Sequence, residues 1–285
     1  MSNNRTHPLF QRYPLNRTAP LPAGTLPAPY HVYDGTALLI GGSITLGSAM
    51  QLLAGQAMKP YVTLNRRCLL VIWVCDFTDA SLGPHQELQF SLIAAHDARP
   101  PVAAHPLSIL KILALDPAAR LLAHHIWNDT EPAVTYNRDY LGLDAGQATG
   151  TIQQDKNRVN FAFTEAATDA TIVTGKVAAS KRTSFGTMID MMRFFGFSDT
   201  MRFAGQSTLT ATVVNTRSTV LPRNVDAPTF THNDRVVLRE WDEQTDELQI
   251  TYPAYADFDF RPLFVEQMTG FKFVYLHPDD DAADV

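Results

Sequence analysis

The chain has 285 residues, 45% of them hydrophobic and 18% charged, which supplies a sizeable core and excludes wholesale disorder, collagen-like repeats and coiled coil. Its 23 basic and 29 acidic residues leave a net charge of −6, so no basic field exists to hold nucleic acid or an anionic membrane. One large domain or two small ones fit the length.

Six of the 18 prolines (Pro8, Pro14, Pro20, Pro22, Pro27, Pro29) lie in the first 30 residues, where fixed φ and missing donors oppose both helix and central strand. Residues 1–28 are therefore expected as an extended arm, loose or wrapped around a neighbouring subunit. No apolar h-region follows the first methionine, so the cytoplasm is the expected location. Beyond the arm, strands are expected over 37–44, 61–75, 87–95, 133–137, 148–154, 158–163, 170–178, 201–214, 235–241, 247–252 and 271–276. So many strands suggest a barrel or a sandwich. Gln154-Asp155-Lys156-Asn157 marks an antiparallel hairpin. Cys68 and Cys75 both fall in the apolar run CLLVIWVC, expected on one strand face, too far apart to bond, as reduced core thiols. That run is far shorter than the ~20 residues that span a bilayer.

Three helices are expected. Leu46, Met50, Leu53, Ala54 and Ala57 share a face over 46–58, capped by Ser43 or Thr45. Asp116-Pro117 opens a second over 118–127, on which His124 and His125 point about 100° apart. A third over 185–195 aligns Phe185, Met188, Ile189, Met192 and Phe195, a stripe that core packing explains more simply than a ligand. No linker interrupts residues 29–278, and 279–285 is an acidic tail.

Phosphate-loop, dinucleotide, zinc-helix and serine-nucleophile motifs are all missing from the sequence, and the nine histidines lack metal-ligand spacing, so neither metal nor cofactor is expected. Two segments carry chemistry. In Gly83-Pro84-His85-Gln86-Glu87, a turn delivers a carboxylate into an otherwise apolar strand. Glu131 to Asp144 reads as a short strand ending in a polar cluster that holds Arg138, Asp139 and Asp144. Desolvation of a carboxylate at a buried strand end disfavours its charge, which suits a general acid or base, and an ion pair with Arg138 is an equally simple reading.

In order and spacing these segments, preceded by Pro29-Tyr30, resemble the acetoacetate decarboxylase family, over residues 29–163 with an echo at 265–275. The resemblance implies an α+β, mainly β fold: an antiparallel barrel-like sheet around an internal cavity with a few short helices, in a homo-oligomer. It also implies a Schiff-base lysine and a second lysine, but Ala145 and Gly146 stand there. The family's arginine falls at Gly35 and one of its two cavity carboxylates near Ile72, while Glu87 is retained. Without an amine to form the iminium electron sink, the family's decarboxylation should not run. Lys176 is the best substitute on offer.

The expected function is a lysine-free enzyme acting on a small organic or polyketide-like acid by decarboxylation, dehydration or cyclisation. Glu87 would transfer the proton and Arg138 orient an oxyanion, with His85, Asp139 and Asp144 assisting and Ile72, Trp73 and Phe90 lining the cavity. The alternative is a binding protein using the same cavity for a small ligand.

Overall fold

The run around Cys68–Cys75 is apolar at consecutive positions because the strand that carries it is covered on both faces. A computed structural model describes residues 4–103, 105–179, 209–216 and 218–280, with Ile189, Met192, Arg193, Gly196 and Ser198. In chain order the strands are β1 (Arg17–Leu21), β2 (Gly24–Ala28), β3 (Tyr30–Thr45), β4 (Lys59–Pro60), β5 (Arg67–Ala80), β6 (His85–Ala95), β7 (Arg120–Asn128) and β8 (Ala145–Gln154). There follow β9 (Arg158–Glu165), β10 (Thr171–Ala178), β11 (Leu209–Asn215), β12 (Asp226–His232), β13 (Arg235–Glu240), β14 (Glu247–Ile250), β15 (Arg261–Thr269) and β16 (Lys272–Tyr275). The helices are α1 (Pro8–Arg12), α2 (Leu46–Leu52), α3 (Pro106–Leu115) and α4 (Glu131–Thr135).

Strands β7, β11, β12, β16, β3, β5 and β6 pair in that order, and β6 pairs back to β7, so the sheet closes into a barrel. The long β3 pairs with β16 through its first residues and with β15 further on, so β15 extends the wall and carries β13 with it. A second layer, β8–β9–β10–β14, branches from β7 through a parallel pairing. Wall strands β3, β5, β6, β7 and β11 thus serve two cores, one inside the barrel and one between barrel and outer layer, while β12 and β16 turn Phe230 and Val274 to the N-terminal segment. The mainly β, barrel-like architecture expected from the sequence is the one observed.

Several local expectations change. The segment 118–127, expected helical, is strand β7. Asp116 does accept a hydrogen bond from the Ala118 N–H at 2.9 Å, but it closes α3 rather than opening a helix. Segment 133–137, expected extended, is helical: Pro132 occupies the first turn of α4, which runs into a π-helical turn over Tyr136–Tyr140. Helix α2 is shorter than expected, with Thr45 Oγ1 accepting the Ser48 N–H at 3.1 Å as its cap. The turn at 154–157 forms, Asp155 accepting from the N–H groups of Asn157 and Arg158. Cys68 and Cys75 are free and buried, but seven positions is an odd interval, so they face opposite sides of β5. Phe185, Met188, Phe195 and Lys181 lie outside the described residues, as does the tail beyond Asp280.

Residues 4–28 are folded onto their own barrel. Leu9, Phe10 and Tyr13 bury against Tyr33, Phe230, Val274 and Leu276, and the β1–β2 hairpin sends Ala19 and Ala28 into the barrel core. Leu9, Phe10, Tyr13, Ala19 and Ala28 are thus buried within this chain, while Leu15 stays exposed.

Candidate active site

Strand alternation decides which residues of β5 and β6 meet the barrel interior. Their register sets Cys75 opposite Glu87, Trp73 opposite Gln89 and Phe77 opposite His85, all on the inner face. Together with Leu39, Leu110, Leu121, Met268, Phe271 and Phe273 these strands surround a cavity of about 110 Å³ whose wall is mostly aliphatic and aromatic. Thr229, Thr231 and Asn233 add polar edges, and two carboxyl groups, Glu87 and Glu266, open into it.

Glu87 is held by a relay. Asn128, opposite it on β7, donates through Nδ2 to Glu87 Oε2 at 3.0 Å, and Asn137 Nδ2 donates to Asn128 Oδ1 at 2.8 Å. Burial pushes the Glu87 carboxyl up to about 7, with the amide donors working against it. The surrounding thiol of Cys75 and phenols of Tyr30 and Tyr275 are raised by burial and further by the Glu87 charge, so they stay protonated. His85 stands one step along the same face. Its Nδ1 lies 2.8 Å from the Gly83 carbonyl, which can only accept, so Nε2 is unprotonated and accepts from Tyr30 Oη at 2.8 Å. Burial keeps this imidazole below its usual range and neutral.

Glu266 sits in the middle of β15 and is only 7% exposed. Among the described residues no side chain or backbone group hydrogen-bonds or ion-pairs with its carboxyl, and burial alone raises it to about 7. The sequence reading missed it. Its signal is the one that singled out Glu87, a carboxylate on the apolar phase of an alternating strand, between Phe264 and Met268.

Of the residues read from the sequence, Glu87 and Trp73 line the cavity and His85 adjoins it. Ile72 and Phe90 do not, because they occupy the opposite phase of the pleat. Ile72 joins the outer core and Phe90 stacks on Tyr255 at 4.5 Å. Arg138 lies on the π-helical turn with its side chain 47% exposed, gripping its neighbour Asp139 at 2.8 and 3.0 Å. Asp144 faces His125 at 3.3 Å. Neither the Arg138–Asp139 pair nor Asp144 reaches the cavity wall. No lysine among the described residues lines it either. Lys176 pairs with Glu247 at the surface, and the buried Lys272 donates to Asp234 and to the Gly270 carbonyl.

No family model and no curated protein sequence matches the chain. Among solved structures, acetoacetate decarboxylase from Legionella pneumophila superposes with a TM-score of 0.54 at 9% identity, covering 87% of this chain and 85% of the other. A second acetoacetate decarboxylase structure gives 0.54 at 10% identity, covering 87% of each chain. The enduracididine biosynthesis enzyme MppR, complexed with pyruvate, gives 0.48 at 11% identity, covering 87% of each chain. The class of the molecule is thus a closed β-barrel with an acid-bearing internal cavity. The particular fold is that of acetoacetate decarboxylase.

Proposed function

We propose that this chain is an enzyme acting on a small organic or polyketide-like carbonyl compound, with Glu87 as the proton-transfer group and no Schiff base. The observation that carries the reading is a carboxyl group raised to about 7, oriented by Asn128 and exposed to an apolar cavity. A group with that pKa is both protonated and ionised near neutral pH, which is where general acid–base catalysis is most effective. In dehydration the ionised Glu87 takes a proton from the carbon next to the carbonyl and returns it to the departing hydroxyl, releasing water. In ring closure it returns that proton to the carbonyl oxygen that the enolate carbon attacks. In decarboxylation the protonated Glu87 gives its proton to the enolate carbon left when the C–C bond breaks and CO2 departs, and regains one from solvent. Trp73 and Phe77 supply the wall, and the Tyr30–His85 pair lies two residues along β6 from Glu87. Arg138 and Asp139 belong to the turn, and Asp144 to His125, so none of the three enters this mechanism. The resemblance further implies a homo-oligomer, to be tested by light scattering.

The mostly aliphatic and aromatic wall favours a second reading, a binding protein for a small apolar ligand. Proton NMR in D2O separates the two. Protein-dependent deuterium exchange next to the carbonyl of pyruvate or cyclohexanone, reduced about 10²- to 10⁴-fold in Glu87→Gln, is the enzyme's result. Saturable binding without exchange is the binder's. A borohydride-trapped adduct with pyruvate would refute the lysine-free mechanism.

A further inference from the structure

Glu266 has no task in the chemistry above, yet it is a carboxyl group 93% buried, without a side-chain partner among the described residues, and it opens into the ligand cavity. A buried carboxyl that folding leaves unpaired is costly, and apolar residues of similar size would serve the wall better. Its described neighbours offer nothing to relieve it. Across the strand pairings it meets Leu39 on β3 and Leu238 on β13, and along its own face Phe264 and Met268. Among the described residues the cavity's remaining polar groups are neutral, apart from Glu87.

Glu87 makes no hydrogen bond with it, and neither carboxyl is shifted by the other's charge. Strands β3 and β5 lie between β15 and β6, so the two backbones are three strand steps apart, roughly 14 Å of wall at about 4.8 Å each. The cavity therefore presents two acids at separate places, lined between by Leu39, Trp73 and Cys75, with no cationic side chain among the described residues to receive an anion.

We propose that Glu266 is the anchor for a protonated amine on the ligand, so that the cavity selects an amino ketone or similar cationic carbonyl compound and rejects oxo acids. An ammonium group supplies the counter-charge and hydrogen bonds that no described residue gives this carboxylate, and the nearby aromatic faces attract the same charge. A ligand carboxylate would meet two like charges in a poorly solvated hollow instead. The inference rests on the cavity being the ligand site and narrows what Glu87 acts upon to cationic carbonyl compounds, which leaves dehydration and ring closure and sets aside decarboxylation of an oxo acid.

The test is calorimetric or NMR titration at pH 8 with three probes of one shape: cyclohexylamine, cyclohexanol and cyclohexanecarboxylate. The amine is expected to bind at least tenfold more tightly than the other two. Glu266→Gln, which keeps the volume, should abolish that preference, while Glu87→Gln should preserve it. Equal binding of amine and alcohol, tighter binding of the carboxylate, or a preference lost in Glu87→Gln but kept in Glu266→Gln would each overturn the inference. Should Glu266→Gln fold poorly, Glu266→Asp gives the second check, retaining the preference for the amine over the carboxylate if charge is what matters. Cyclohexanone exchange reports separately on the parent reading. Exchange that depends on Glu87 but accompanies no amine preference sinks this inference alone, and absent exchange with the amine preference intact sinks only the acid–base role.

Discussion

Two buried carboxyl groups twenty positions apart show how one residue type is used in two ways. Asp246 is 5% exposed and Glu266 7%. Burial alone would raise both. At Asp246 it is outweighed by Arg239, whose guanidinium nitrogens lie 2.5 and 2.7 Å away, and by the N–H groups of Ala178 and Asp242, so this carboxyl is held below the usual range. Glu266 has no such company among the described residues and rises to about 7. The first ties β13 to the end of β10, while the second lines the cavity. Equal burial does not mean equal purpose, and the difference is legible in what each oxygen touches.

The sharpest blow to this contrast would come from the third acid, Glu87, which combines partial satisfaction with cavity exposure. For any turnover detected, Glu87→Gln is expected to slow it by about 10²- to 10⁴-fold with little change in substrate affinity, read as kcat against KM. Next in size, Asp246→Asn should destabilise the fold by about 3–5 kcal/mol at pH 7 in denaturant titrations, because Arg239 keeps its charge and its bonds to the Ala178 and Glu240 carbonyls but loses its counter-charge. A folded-state pKa below the unfolded value gives stability that is present above about pH 4 and lost as pH falls through the folded pKa. The Asp246→Asn penalty should therefore fade at pH 2.

Glu266→Gln should act in the opposite direction. Its folded pKa of about 7 lies above an unfolded value near 4.3, so the folded state holds a proton that the unfolded state releases, and stability falls as pH rises between those values. Removing the group should raise stability by roughly 3 kcal/mol at pH 8 and by almost nothing at pH 4. Asn128→Ala should move the midpoint of any pH–rate profile upward, since one donor opposing the raised Glu87 value is lost. Arg138→Ala, at an exposed pair, should change stability by less than about 1 kcal/mol and leave ligand binding unaltered.

The sequence exposed Glu87 because its signal is local: a turn, then a carboxylate on the inner phase of a strand. Trp73 followed from the same strand. Ile72 and Phe90 were misassigned because a wall apolar on both faces hides its parity, which only the cross-strand register reveals. Arg138 looked catalytic beside two acids, yet its nearest neighbour in sequence is also its partner in space. The helical appearance of 118–127 and the extended appearance of 133–137 share a cause. Val134 and Thr135 have β-branched side chains but follow a proline that starts a helix, whereas Leu121 and Leu122 complete a sheet whose other strands lie far away in the chain. Closure of the barrel is non-local, and propensity alone does not encode it.

The pleat also simplifies any effort to re-engineer what the hollow accepts. On β5 and β6 the positions that meet a guest are 73, 75, 77, 87 and 89, all odd, and on β15 they are 266 and 268, both even. A saturation library restricted to those numbers samples the guest-facing surface directly, while variation at the intervening positions is spent on the seam between barrel and outer layer, where it erodes thermal tolerance instead of altering selectivity.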